Sequence, residues 1–210
     1  MNKLKSIFVA NRYFFAGYLF FFLVGLVFLL TNGKAATFLY LNPYHRTDLD
    51  AFFICLTYLG DGLFSIGVFL LLLFMRRYSQ AIQLMVAFLV SALLAQVLKN
   101  LFSMPRPKEF FAPGQYPYFI NGVTLTGFSS FPSGHTTSIF ALATLLALFE
   151  KNKKGNIGYL LGAVAVGYSR IYLGQHFLGD VLVGSFIGAS LAVLVHWLFS
   201  EKFHSLPGFA

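Results

Sequence analysis

Apolar residues fall into long runs separated by short polar stretches. The first run, Tyr13 to Leu30, has 18 residues and no charged side chain. As an α-helix rising 1.5 Å per residue it spans roughly 27 Å, close to the thickness of a bilayer core. Five further apolar segments predict helices. They lie within Ala51 to Met75 (interrupted by Gly60-Asp61-Gly62), from about Ala81 to Leu98, from Thr136 to Phe149, from about Ile157 to Tyr172, and from about Val181 to Phe199. The pattern predicts an all-α, polytopic membrane protein with six transmembrane helices in one bundle. No repeat or low-complexity stretch marks a boundary, so residues 1–210 read as a single domain. Glycines scattered through the fifth and sixth segments predict close helix contact there.

Composition agrees. The chain is 58% hydrophobic, 19% aromatic and only 10% charged, against about a quarter charged in a soluble domain. Lys3, Lys5 and Arg12 precede the first run much as in a signal peptide. The run itself exceeds the roughly 7–15 residues of a signal core, which predicts a retained helix. The single cysteine, Cys55, has no internal partner. A formal charge of +8 suits an anionic lipid surface or a phosphorylated substrate, although loop Lys and Arg also set topology. With the N-terminus inside, nine basic residues fall on the inner side and six on the outer. Three of the outer ones, Lys99, Arg106 and Arg170, stand at helix ends beside Pro, Gly and Ser, as if for chemistry. Both termini are therefore expected in the cytoplasm. Nothing points to nucleic acid or to an obligatory protein partner.

The outer loop, about Phe102 to Phe131, contains EFFAPGQYPYF, whose aromatics suit the headgroup zone. The stretch RTDLDAFFICLTYLG suits the outer interface, and Asp61 is expected near the membrane surface.

This topology gathers three polar clusters at one face: KNLFSMPRP, with Lys99 and Arg106; PSGH, residues 132–135; and SRIYLGQHFLGD, with Ser169, Arg170, His176 and Asp180. A phosphate is the natural ligand of such a group. Arginine presents a planar fork to phosphate oxygens and lysine a compact charge. Ser133 and Gly134 precede a helix whose first N–H groups and dipole favour an anion, and glycine permits close approach. His176 and Asp180 are four apart, on one face if helical. The carboxylate then fixes one imidazole nitrogen and frees the other to attack. His135, from another helix, is placed to protonate the leaving oxygen. The route is covalent, through a phosphohistidine, with the cations stabilising transferring charge and no metal or other cofactor required. Each part has a plainer reading: snorkelling cations, a helix cap at PSGH, a structural His–Asp pair, or a zinc site, which the arginines disfavour. His45, His196 and His204 are assigned no role.

Together these residues resemble the three-part signature of the type 2 phosphatidic acid phosphatase (PAP2) superfamily. The match runs through Lys99, Arg106, Pro107, Pro132, Ser133, Gly134, His135, Ser169, Arg170, His176 and Asp180. The resemblance implies His176 as nucleophile, His135 as acid and Asp180 as its support. It implies phosphate binding by Lys99, Arg106, Ser133, Gly134 and Arg170, and no metal. It also implies a bacterial membrane lipid phosphatase with its site facing the periplasm or exterior. HFLGDVLVG departs from many relatives, which carry Pro or Ser between the His and the Asp. Soluble vanadium haloperoxidases share the motifs, but the apolar helices argue against them. The expected function is hydrolysis of phosphatidylglycerol phosphate, phosphatidate, undecaprenyl pyrophosphate or lipid A phosphate. A lipid-to-lipid phosphotransferase shares the first half-reaction. A non-catalytic transporter fits less well, because the ionisable residues collect at one face.

Overall fold

A computed structural model describes residues 3–202. Helices α1 (Lys3–Ala10), α2 (Arg12–Leu41), α3 (Thr47–Thr57), α4 (Gly62–Phe74), α5 (Tyr78–Phe102), α6 (Pro107–Phe110), α7 (Gly134–Phe149), α8 (Asn156–Tyr172) and α9 (Leu178–Lys202) make up the described chain. His204 lies outside it.

The six expected segments all appear as helices, most of them longer than their apolar cores. α2 runs on past Leu30 through a break at Gly33, whose φ of 76° is open to glycine. The Gly60-Asp61-Gly62 interruption is a real bend: α3 and its 3-10 turn meet α4 at 54°. Asp61 caps α4, its Oδ1 accepting from Leu63 N at 2.9 Å.

Among the described residues three helices are long and apolar enough to span a membrane, and four if the bent pair is one span. α7 and α8 have 16 and 17 residues. α7 is the centre of the bundle: from Thr136 to Leu145 every residue is buried. α9 wraps it at close range. A Cβ on Gly184 would stand 2.7 Å from the Ser133 carbonyl, and one on Gly188 would stand 2.2 Å from the Thr137 carbonyl. Side chains are excluded there, as in membrane helix pairs built on small residues four apart. α2, by contrast, leaves Leu19, Phe20, Leu23, Val24, Val27 and Leu30 exposed along its length. An apolar surface of that extent makes this an integral membrane protein.

The long loop before α7 is tied down. Thr124 Oγ1 donates to Leu173 O at 2.9 Å. Phe111 and Tyr116 turn inward, onto Phe38 and Phe177, while Phe110 and Tyr118 stay exposed. Only part of the aromatic stretch therefore faces outward.

Candidate active site

The mouth of α7 is built by Ser133. Its Oγ accepts from Thr136 N at 3.4 Å and from Thr136 Oγ1 at 2.8 Å, so the cap reading of PSGH holds. Gly134 and His135 occupy the first two helical positions, where N–H groups have no intrahelical acceptor. A Cβ on Gly134 would meet only Lys99, with Nζ 3.9 Å away. Packing within the protein therefore does not require glycine at this point. What a Cβ would fill is the space between an ammonium and a helix mouth, which is where an anion belongs.

The third cluster is attached to this mouth directly. Ser133 N donates to Asp180 O at 3.1 Å. Asp180, in the first turn of α9, turns its Oδ2 back to Phe177 N at 2.9 Å, half of a capping box. The same oxygen accepts from Ser130 Oγ at 2.5 Å and faces His176 Nδ1 at 3.6 Å. That last separation is ion-pair range and longer than a hydrogen bond, and His176 Nδ1 has no other partner among the described residues. His176 is 2% exposed. Burial pushes its imidazole down to about 4, with Asp180 opposing and Arg170 and Arg106 adding to the fall.

Three cations gather beside this pair, Lys99 interacting with Arg106, Arg170 and Asp180. Lys99 Nζ, at the end of α5, donates to Ser129 O at 3.2 Å. Arg106 donates through Nη1 to Gln175 Oε1 at 2.9 Å and through Nη2 to Ser129 Oγ at 3.3 Å. Arg170 Nη1 donates to Thr57 Oγ1 at 2.6 Å. Both guanidinium groups are buried, and each keeps its Nε without a partner among the described residues. Buried donors of this kind are costly unless a ligand completes them. His135, the second residue of α7, lies within electrostatic reach of Arg170, Asp61 and Lys99. All eight residues singled out in the sequence thus stand at one end of the bundle.

Four contributors were not singled out beforehand: Ser130, Ser129, Gln175 and Thr57. Ser129 and Ser130 lie just upstream of PSGH, and Gln175 immediately precedes His176, so proximity in sequence was a usable signal. Thr57 had none, since it meets Arg170 across 113 positions. His45 is also more than a bystander. It bonds Asp50 Oδ1 at 2.9 Å and Tyr116 OH at 3.1 Å, and stacks on Tyr172 at 4.1 Å. Asn42 Nδ2 donates to Ile171 O and Tyr172 O, so this joint braces the end of α8 next to Arg170.

Two arginines, a lysine, a helix mouth and a His–Asp pair gathered at one end of an apolar helical bundle have the chemistry of a phosphate-handling membrane enzyme. Residues 80–204 match the PAP2 superfamily, and the chain belongs to that family. The Lipid A 4'-phosphatase of Porphyromonas gingivalis is 32% identical over 168 residues, 76% of this chain and 70% of that protein. The crystal structure of Aquifex aeolicus LpxE superposes with a TM-score of 0.69 at 31% identity, over 78% of this chain and 94% of that one. That of a transmembrane PAP2-type phosphatidylglycerolphosphate phosphatase from Bacillus subtilis gives 0.66 at 27% identity, over 99% and 100%. The protein is a phosphoric ester hydrolase of the PAP2 type.

Proposed function

We propose that this protein removes a phosphate from a membrane lipid through a phosphohistidine on His176. The observation that carries the reading is the attachment of the α7 mouth to the His–Asp element, Ser133 N on Asp180 O at 3.1 Å. It supports the reading because it ties the N-terminal end of α7 to the segment that carries His176. With Nδ1 turned to Asp180, Nε2 attacks phosphorus while His135 gives a proton to the departing lipid oxygen. Water, deprotonated by the same His135, then attacks phosphorus and breaks the P–N bond. Lys99, Arg106, Arg170 and the N–H groups at Gly134 balance the charge of the transferring phosphoryl group. That stabilisation makes a metal unnecessary.

A lipid substrate follows from the exposed apolar helices around the site. In this reading six helices cross the inner membrane, both termini are cytoplasmic, and the pocket opens to the periplasm or exterior. The candidates are phosphatidylglycerol phosphate, phosphatidate, undecaprenyl pyrophosphate and lipid A phosphate.

The test is phosphate release from each of these four by purified protein, with His176→Ala beside it and radiolabelled lipid to trap an acid-labile phosphoenzyme. Release from at least one, lost in the variant together with the trapped label, is expected. Turnover by His176→Ala at the wild-type rate would overturn the mechanism.

A further inference from the structure

A second concentration of cations stands at the opposite end of the bundle. α7 carries the site at its start and runs 16 residues, roughly 24 Å, to Phe149. Beyond that end, between the α4–α5 turn and the α7–α8 loop, lies a cavity of ≈ 580 Å³. Arg76, Arg77, Tyr78, Ser79, Lys151 and Tyr159 line its polar side, and Leu72, Leu146 and Phe149 its apolar floor.

The backbone delivers the arginines there under strain. α4 ends in a Schellman turn, with Arg76 N on Leu73 O at 2.9 Å and Arg77 N on Leu72 O at 2.8 Å. Its left-handed position, where glycine is usual, is occupied by Arg76 at φ 59°. Strain of this kind is kept where a side chain is needed for something other than stability. Among the described residues neither arginine nor Lys151 forms an ion pair. The one carboxylate in the lining, Glu150, is engaged by Asn152 N at 2.9 Å and Tyr159 OH at 3.3 Å. α5 starts at the same point, and its N-cap, Arg77, makes no side-chain capping bond. The first turn of a 25-residue helix, Tyr78 to Gln80, thus borders the same space.

We propose that this cavity is a binding site, separate from the catalytic pocket, for the phosphate of an anionic phospholipid in the leaflet facing it. Two guanidinium forks, an ammonium and a helix start match a phosphodiester. The apolar floor accepts the first part of an acyl chain, and Tyr78 and Tyr159 suit the interfacial level. Cations that only set topology would attract lipid diffusely, each contributing alike. A built site concentrates the effect in three residues.

Native mass spectrometry of the full chain, released from phosphatidylcholine nanodiscs doped with phosphatidylglycerol, separates these cases. Wild type should retain phosphatidylglycerol selectively. Retention should fall at least about tenfold in Arg76→Gln/Arg77→Gln/Lys151→Gln, the loss expected when three attracting cations are removed. It should persist in Lys5→Gln/Arg12→Gln/Lys154→Gln, and phosphate release should be unchanged in both. Arg76→Gly relieves the left-handed strain, so it guards against misfolding: it should melt no lower than wild type and still hold less lipid. Equal retention in the two triple variants, or undiminished retention in Arg76→Gly, overturns the proposal. Displacement of the lipid by inorganic pyrophosphate without loss of phosphatidylcholine would reassign the site to a soluble phosphate and overturn the lipid assignment.

Discussion

Ser130 donates a 2.5 Å hydrogen bond to Asp180 Oδ2, the oxygen that faces His176 Nδ1 at 3.6 Å. With Phe177 N also on that oxygen, the carboxylate is oriented before any substrate arrives. Ser130→Ala removes one of its two hydrogen-bond donors while leaving the cations in place. A hydrogen bond to a charged group is worth about 1.5–3 kcal/mol. We expect kcat to fall about tenfold or more with KM little changed. Steady-state kinetics check this, and an unaltered kcat would mean that the hydroxyl only fills space.

Gly188 has no room for a methyl group, since a Cβ would stand 2.2 Å from the Thr137 carbonyl. Gly188→Ala should push α9 off α7, costing at least about 1–3 kcal/mol. It should also lower activity, because α9 carries Asp180 and α7 carries His135. Gly67, with nothing within 4 Å of its would-be Cβ, is the control: Gly67→Ala should melt at or above the wild-type temperature. Thermal unfolding in detergent measures both.

The His176 imidazole is held at about 4, below its ordinary 6.5. At neutral pH the free enzyme therefore carries it uncharged, as the proposed nucleophilic role requires. The acid limb of kcat/KM should fall near pH 4 and not near 6.5, and Asp180→Asn should move it lower still, because the carboxylate is what opposes the fall. Stability follows the same sign. Between these two values the unfolded chain binds the extra proton, so the contribution is fully present above 6.5 and is lost as pH falls towards 4. A pH–rate profile with its acid limb at the ordinary value would contradict the buried, neutral assignment.

On the proposed assignment Lys99, Arg106 and Arg170 supply the positive charge, so a chelator should leave phosphate release within about twofold of the untreated rate, while vanadate should inhibit by imitating pentavalent phosphorus. Strong inhibition by chelator that added Mg²⁺ or Zn²⁺ reverses would show that a metal takes part.

The sequence by itself determined which stretches are helical, because an apolar run such as Tyr13 to Leu30 is a local property of the chain. It also determined which chemistry-bearing residues share an end of the bundle, since successive helices that alternate in direction bring Lys99, His135 and His176 to one end. It marked the break at Gly60-Asp61-Gly62, and Asp61 does cap a new helix there. Only the tertiary structure decided how each group is held. Thr57 reaches Arg170 across 113 positions, and no local pattern encodes a pairing that depends on where α3 bends. Gly184 and Gly188 could be read as contact residues, but not as the points where α9 meets the backbone of α7 itself. Periodicity reports the environment each residue needs; the packed fold alone chooses the neighbour that provides it.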